Sequence, residues 1–174
     1  MKGQYFSFDA IIATVIMVLA FSSLVAYWYG AQAVVESRAY SRLADANRVA
    51  ESLLSPGSPA DWAGPSYSIN DVRQAGIATG FGNELNMSKV DKLQEYANLS
   101  SGYYEATGNL LRAGGDYFIL IEQADDSGGL LREIGSYPIP ANASYVAVAT
   151  RGVTFRDAGG NSHPARMRVF LWKQ

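Results

Sequence analysis

Between Asp9 and Glu36 the chain runs 26 residues without a single Asp, Glu, Lys or Arg. Charged residues make up only 17% of the whole, against about 25% in an ordinary soluble domain. Most of that deficit sits in this one segment. The stretch Ala10–Tyr29 reads AIIATVIMVLAFSSLVAYWY. Twenty helical residues rise about 30 Å, the hydrocarbon thickness of a bilayer. No Pro interrupts them, and their aliphatic side chains are tolerable around the whole circumference. Thr14, Ser22 and Ser23 can return their hydroxyls to the helix's own carbonyls, as lipid demands. Tyr27, Trp28 and Tyr29 cluster at the far end, where amphipathic rings favour a membrane–water interface. A buried core helix would rarely be this long without a charge. A cleaved secretory signal would need a shorter apolar core, although Ala31-Gln32-Ala33 supplies small residues for a cut.

Beyond Glu36 the apolar residues Val35, Ala39, Leu43, Ala46, Ala50 and Leu53 fall at spacings of three and four. That is one face of an α-helix. The other face carries Glu36, Arg38, Arg42, Asp45, Arg48 and Glu51. The sequence Ser55-Pro56-Gly57-Ser58-Pro59 stops the helix, because Pro lacks a donor and Gly favours an exit. Phe6–Leu54 is therefore expected as one helix of about 70 Å, apolar in its first half and amphipathic in its second. The organisation expected is residues 1–3 as a short leader, 4–30 as the hydrophobic helix, 31–55 as its amphipathic continuation and 56–174 as a globular head.

The head changes period along its length. Apolar residues at helical spacing run from Asn83 to Leu111, with Asn86 or Ser88 as N-cap of one helix and Ser100–Leu111 as a second. After Gly114-Gly115 four strands are expected: Asp116–Gln123, Leu130–Ser136, Tyr145–Arg156 and Arg166–Lys173. In the third, Tyr145, Ala147, Ala149, Arg151, Val153 and Phe155 share a face. In the fourth, Met167, Val169 and Leu171 oppose Arg168, Phe170 and Trp172. The fold class expected is α+β, a long N-terminal helix packed by its amphipathic half on an antiparallel sheet with additional short helices. Ser55–Ser68 reads as the one linker-like stretch.

Little in the sequence supports catalysis. The absence of Cys excludes a disulfide framework, a thiolate metal site and a Cys nucleophile. The one histidine, His163, stands before Pro164 with no partner visible in the sequence. No nucleophile elbow, zinc-protease helix, phosphate loop or dinucleotide fingerprint stands in context, and Gly80-Phe81-Gly82 lacks both a preceding strand and a third Gly. Asp125-Asp126-Ser127-Gly128-Gly129 and Asp157–Asn161 are better explained as turns than as calcium loops. A formal net charge of −2 gives no basic footprint for nucleic acid. No catalytic residue, cofactor or metal site is expected, and the chain is not expected to be an enzyme. Three sequons, at Asn86, Asn98 and Asn142, are candidate glycosylation sites if the head lies outside the cytoplasm; unmodified caps and turns are the alternative.

The N-terminus adds a more specific feature. Lys2-Gly3, then Gln4, Ser7 and Asp9, lead directly into the apolar run from Ala10. An acid at the entrance of a membrane segment is costly unless it meets a partner or the headgroups; in a first helical turn it would meet the helix dipole instead. These residues resemble the start of archaeal type IV pilins and pilin-like proteins, of the class III signal peptide type. SPGSPADW at Ser55–Trp62, GIA at Gly76–Ala78 and NELNMSKVDKL at Asn83–Leu93 carry a vaguer likeness to the same group. The resemblance implies cleavage by a prepilin peptidase between Gly3 and Gln4. Asp9 would then be the sixth mature residue, where better-known pilins place Glu at the fifth. It further implies membrane insertion before assembly, the pilus assembly machinery as a partner, and a helical homopolymer with other copies of the chain. Asp9, Ile11, Ile12, Val15, Ile16, Val18, Leu19, Phe21 and Leu24 would form the assembly surface. The heads would face outward on an extracellular filament serving adhesion. A single-pass anchored minor component of a secretion or adhesion apparatus, which does not polymerise, is the alternative. Charge does not decide the topology: Arg38, Arg42 and Arg48 beyond the span are offset by Glu36, Asp45 and Glu51.

Overall fold

A computed structural model describes residues 3–80, 83–124 and 129–173, with the side chains of residues 3–7 and of Ser144 set aside. The chain divides into two compact units, Met1–Tyr40 and Ser41–Gln174. Helix α1 (Gly3–Leu53) contributes to both. In the first unit the helix stands by itself, and every side chain described between Phe8 and Tyr40 is exposed. No polar face singles out one side for burial from Ala10 to Val35, and the intrahelical ladder already satisfies the backbone.

The second unit is an α+β fold. After the last turns of α1 come β1 (Glu84–Leu85), α2 (Met87–Tyr96), α3 (Tyr104–Leu111), β2 (Asp116–Gln123), β3 (Leu130–Gly135), β4 (Ser144–Arg156) and β5 (Ser162–Lys173). The sheet order is β1-β4-β5-β2-β3. Four strands are antiparallel, as the alternation predicts, while the short β1 pairs in parallel with β4 and makes the sheet mixed. β1 covers only Thr154 and Phe155 of β4. At the other end of β4 the register with β5 shifts between Ser144 and Ala147, and Tyr145 takes a left-handed φ of 52°.

Val169 of β5 lies opposite Ile119 on one side and Ala149 on the other, so the inward row crosses the sheet. Ile119, Ile121, Met167, Val169 and Leu171 are fully buried. Ala46, Val49, Ala50 and Leu53 of α1 join them in one core with Val90 and Leu93 of α2. The amphipathic end of the long helix thus covers the sheet as expected, but the buried stripe begins only at Ala46; Val35, Ala39 and Leu43 are exposed. Two residues of the inward row of β4 depart from the expected burial. Tyr145 is exposed, where the left-handed backbone and the register shift take it out of the pleat. Arg151 reaches across to α1, donating to Glu51 Oε1 and to Asn47 Oδ1 at 2.9 Å each.

The segment Ser55–Ser68 is not a linker. Trp62 is fully buried, and its indole N–H donates to Gly76 O at 2.8 Å. Ser58 and Gln74 form a bridge, and Ile77 N–H donates to Leu53 O at 2.8 Å. Lys89, nearly buried, donates from Nζ to Pro56 O at 2.7 Å and to Ala78 O at 3.3 Å. Burial holds its ammonium pKa below the usual lysine value. Gly76 is required where it stands, because a Cβ there would overlap Ser55 O and Gly57 N. Between α2 and α3, Gly102 at φ 73° breaks the helix expected from Ser100, so α3 starts at Tyr104. Trp172, on the outward row of β5, is nonetheless fully buried.

Candidate functional site

Every described side chain from Phe8 to Val35 is exposed, so the largest unexplained surface of the first unit is the apolar part of α1. Ile11, Ile12, Val15, Ile16, Val18, Leu19, Phe21 and Leu24 each retain between 43% and 62% of their accessible surface. At 100° per residue they do not share a face but encircle the helix. One-sided burial against a single partner would leave several of them in water. Thr14 Oγ1 donates to Ala10 O and Ser23 Oγ to Leu19 O, both at 2.8 Å. Those two polar groups are satisfied within the helix and need no water. Tyr27, Trp28 and Tyr29 are all more than 60% exposed at the end of the run. This one N-terminal helix is long and apolar enough to span a membrane.

Gly3 and Gln4, the expected processing junction, lie in the first turn of α1. Met1 and Lys2, the rest of the expected leader, lie outside the described residues. Asp9 is exposed, and no acid occupies the first turn of the helix. The helix starts at Gly3, six residues before Asp9, beyond the first turn in which a dipole contact is strong. Capping therefore does not account for Asp9.

The three sequons are not brought together. Asn86 caps α2, its side chain accepting the Lys89 N–H at 3.3 Å, and is half-buried. Asn98 is exposed and accepts the Ser100 N–H at 2.9 Å. Asn142 is exposed in a turn before β4. The β4–β5 hairpin supplies His163 with the partner that the sequence did not reveal. Its Nε2 lies 2.9 Å from Asp157 Oδ2. Asp157 also accepts the Asn161 backbone N–H at 2.8 Å and its side-chain amide at 3.2 Å. The His163 hydrogen bond, with those from Asn161, holds the Asp157 carboxyl down at about 2. Both carboxylate oxygens are engaged within the turn, which accounts for the acid as turn chemistry. Residues 125–128, the other calcium candidate, and residues 81 and 82 of the Gly-Phe-Gly stretch lie outside the described residues. Among the described residues no group of three or more His, Asp or Glu is placed to hold a metal.

No family model, curated protein or solved structure matches the chain. The functional reading therefore rests on the apolar helix surface and the residues leading into it.

Proposed function

We propose that the chain is a structural subunit of an archaeal type IV pilus-like surface filament, not an enzyme. Its hydrophobic helices bundle into the filament core, and its heads form the outer surface that serves adhesion. The observation that carries the reading is the encircling, exposed apolar surface from Ile11 to Leu24. Covering the remaining half of eight such side chains is worth about 0.8–1.5 kcal/mol each, or roughly 6–12 kcal/mol together. Lipid supplies that cover before assembly, and sister helices on every side supply it afterwards. A bundle in which each helix meets several copies through different faces is a heterologous assembly, which grows as a filament when its rotation does not close into a ring.

In this reading a prepilin peptidase cuts between Gly3 and Gln4, the assembly machinery extracts the subunit from the membrane, and Asp9 pairs with a neighbouring subunit's freed amine. The head lies outside the cell, where Asn86, Asn98 and Asn142 are open to glycosylation. Electron microscopy and mass spectrometry of sheared surface material test the proposal. Filaments dominated by this chain with a mature N-terminus at Gln4 support it. A chain recovered only in the membrane fraction, with no filament, refutes it in favour of the non-polymerising anchored component. Asp9→Ala is expected to lower filament yield several-fold while head melting stays unchanged; normal yield refutes the pairing.

A further inference from the structure

We propose that the second unit carries a binding site for a compact oxyanion, a phosphate or sulfate group, in the cavity between α1, the Arg73–Gln74 segment and the C-terminus of α3. The site lies wholly within Ser41–Gln174 and does not depend on the filament reading. The cavity has a volume of about 210 Å³ and is lined by Arg48, Ser52, Arg73, Gln74, Leu111 and Arg112, among others. That is smaller than the sites that enclose drug-sized ligands, and it suits a small anion with a few waters.

Three arginines, all of them exposed, line this cavity, and no acidic residue does. Only Arg48 has a counter-ion, Asp45 at 3.0 Å. Among the described residues, neither Arg73 nor Arg112 takes part in an ion pair. This local surplus of positive charge sits in a chain whose formal net charge is −2, so it is not a general excess. The scaffold is also fixed. Arg48 Nη2 donates to Arg112 O at 3.0 Å, tying α1 to the end of α3. Arg73 N–H donates to Ser58 O at 2.8 Å, and Gln74 Nε2 donates to Ser55 Oγ at 3.0 Å and to Ser52 Oγ at 3.3 Å.

Arg112 itself is the second observation. It occupies the left-handed position that ends α3, at φ 55° and ψ 41°, and its N–H donates back to Asn109 O. That place in a helix normally belongs to Gly or Asn, because a larger side chain strains it. A residue in a strained backbone position that also lines a cavity marks a place where function can outweigh stability. Guanidinium forks match the geometry of phosphate and sulfate oxygens and bind them by charge-assisted pairs. A dianion answers the two uncompensated charges better than a single carboxylate does.

The test is isothermal titration of the full chain in a non-ionic detergent, at constant ionic strength, with inorganic phosphate, inorganic sulfate and chloride. Saturable one-site binding of phosphate or sulfate, absent with chloride, is expected. Arg73→Gln and Arg112→Gln should each weaken it at least tenfold. Arg112→Gly should also weaken it at least tenfold, yet melt at or above the parent temperature without anion, because Gly relieves the backbone strain. A merely structural Arg112 would give the opposite melting result. A sulfated disaccharide and its unsulfated form identify the source: tighter binding than free sulfate assigns a saccharide-borne group, equal or weaker binding a free ion. Absence of saturable binding by both inorganic anions, or parent-like affinity in Arg112→Gly, overturns the site.

Discussion

Trp62 is the sharpest test of how the head is held together, because it lies in a stretch whose composition reads as a tether. Trp62→Ala removes a fully buried indole and the donor that meets Gly76 O. Large aromatic-to-alanine changes in cores cost about 3–5 kcal/mol, since the cavity collapses only partly. For a unit the length of Ser41–Gln174 each kcal/mol moves the melting temperature by about 3–5 °C. The expected loss is therefore about 9–25 °C. Trp62→Phe retains most of the packing but orphans the buried Gly76 carbonyl, at a cost of about 1–3 kcal/mol. The assay is a thermal melt of the full chain in a non-ionic detergent, followed by near-UV circular dichroism. Trp28→Ala is the control: that indole is 61% exposed, so its removal should stay within about 0.5 kcal/mol of the parent. If Trp62→Ala melts within 3 °C of the parent (roughly one kcal/mol at most), the Ser55–Ser68 segment is a tether and the core described above is wrong.

Other expectations follow from the same structure. Gly76→Ala forces a Cβ against Ser55 O and Gly57 N, both backbone atoms, so the head should lose its resistance to limited proteolysis. Leu19→Arg places a charge in the middle of the apolar run, which on insertion scales costs about 3–4 kcal/mol; alkaline extraction of membranes should release this variant and retain the parent. Asp157 ionises more easily folded than unfolded, so its contribution is present above the ordinary carboxylate value and is lost as pH falls through about 2. The melting advantage of the parent over Asp157→Asn should accordingly shrink between about pH 4 and pH 2.

What could be read from the residues alone follows a physical pattern. β2 was legible to the residue, because Gly114-Gly115 and the period of two frame Asp116–Gln123. β5 begins at Ser162, four residues before the alternation becomes clear. Pro164 suggests a loop, but the strand end tolerates it. β1 was invisible, being two residues whose partner in β4 is 70 positions away. The burial of Trp62, Ile69, Val72 and Ile77 carries no period to detect, since irregular backbone imposes none. The apolar helix surface needed only composition and length, so it was fully legible. The meeting of His163 with Asp157 depends on a turn closing, and that of Arg48, Arg73 and Arg112 on three separate segments packing. Neither is a spacing motif.

The short reach of β1 has a consequence for chains held at high density. From Tyr145 to Arg151 the outer border of β4 has no strand beside it among the described residues, and such a border is a template for joining another molecule. The left-handed Tyr145 and the slipped register beside it warp the free end away from a flat ribbon. At that end of β4, crowded neighbours are thus denied a straight seam along which to zip into sheets.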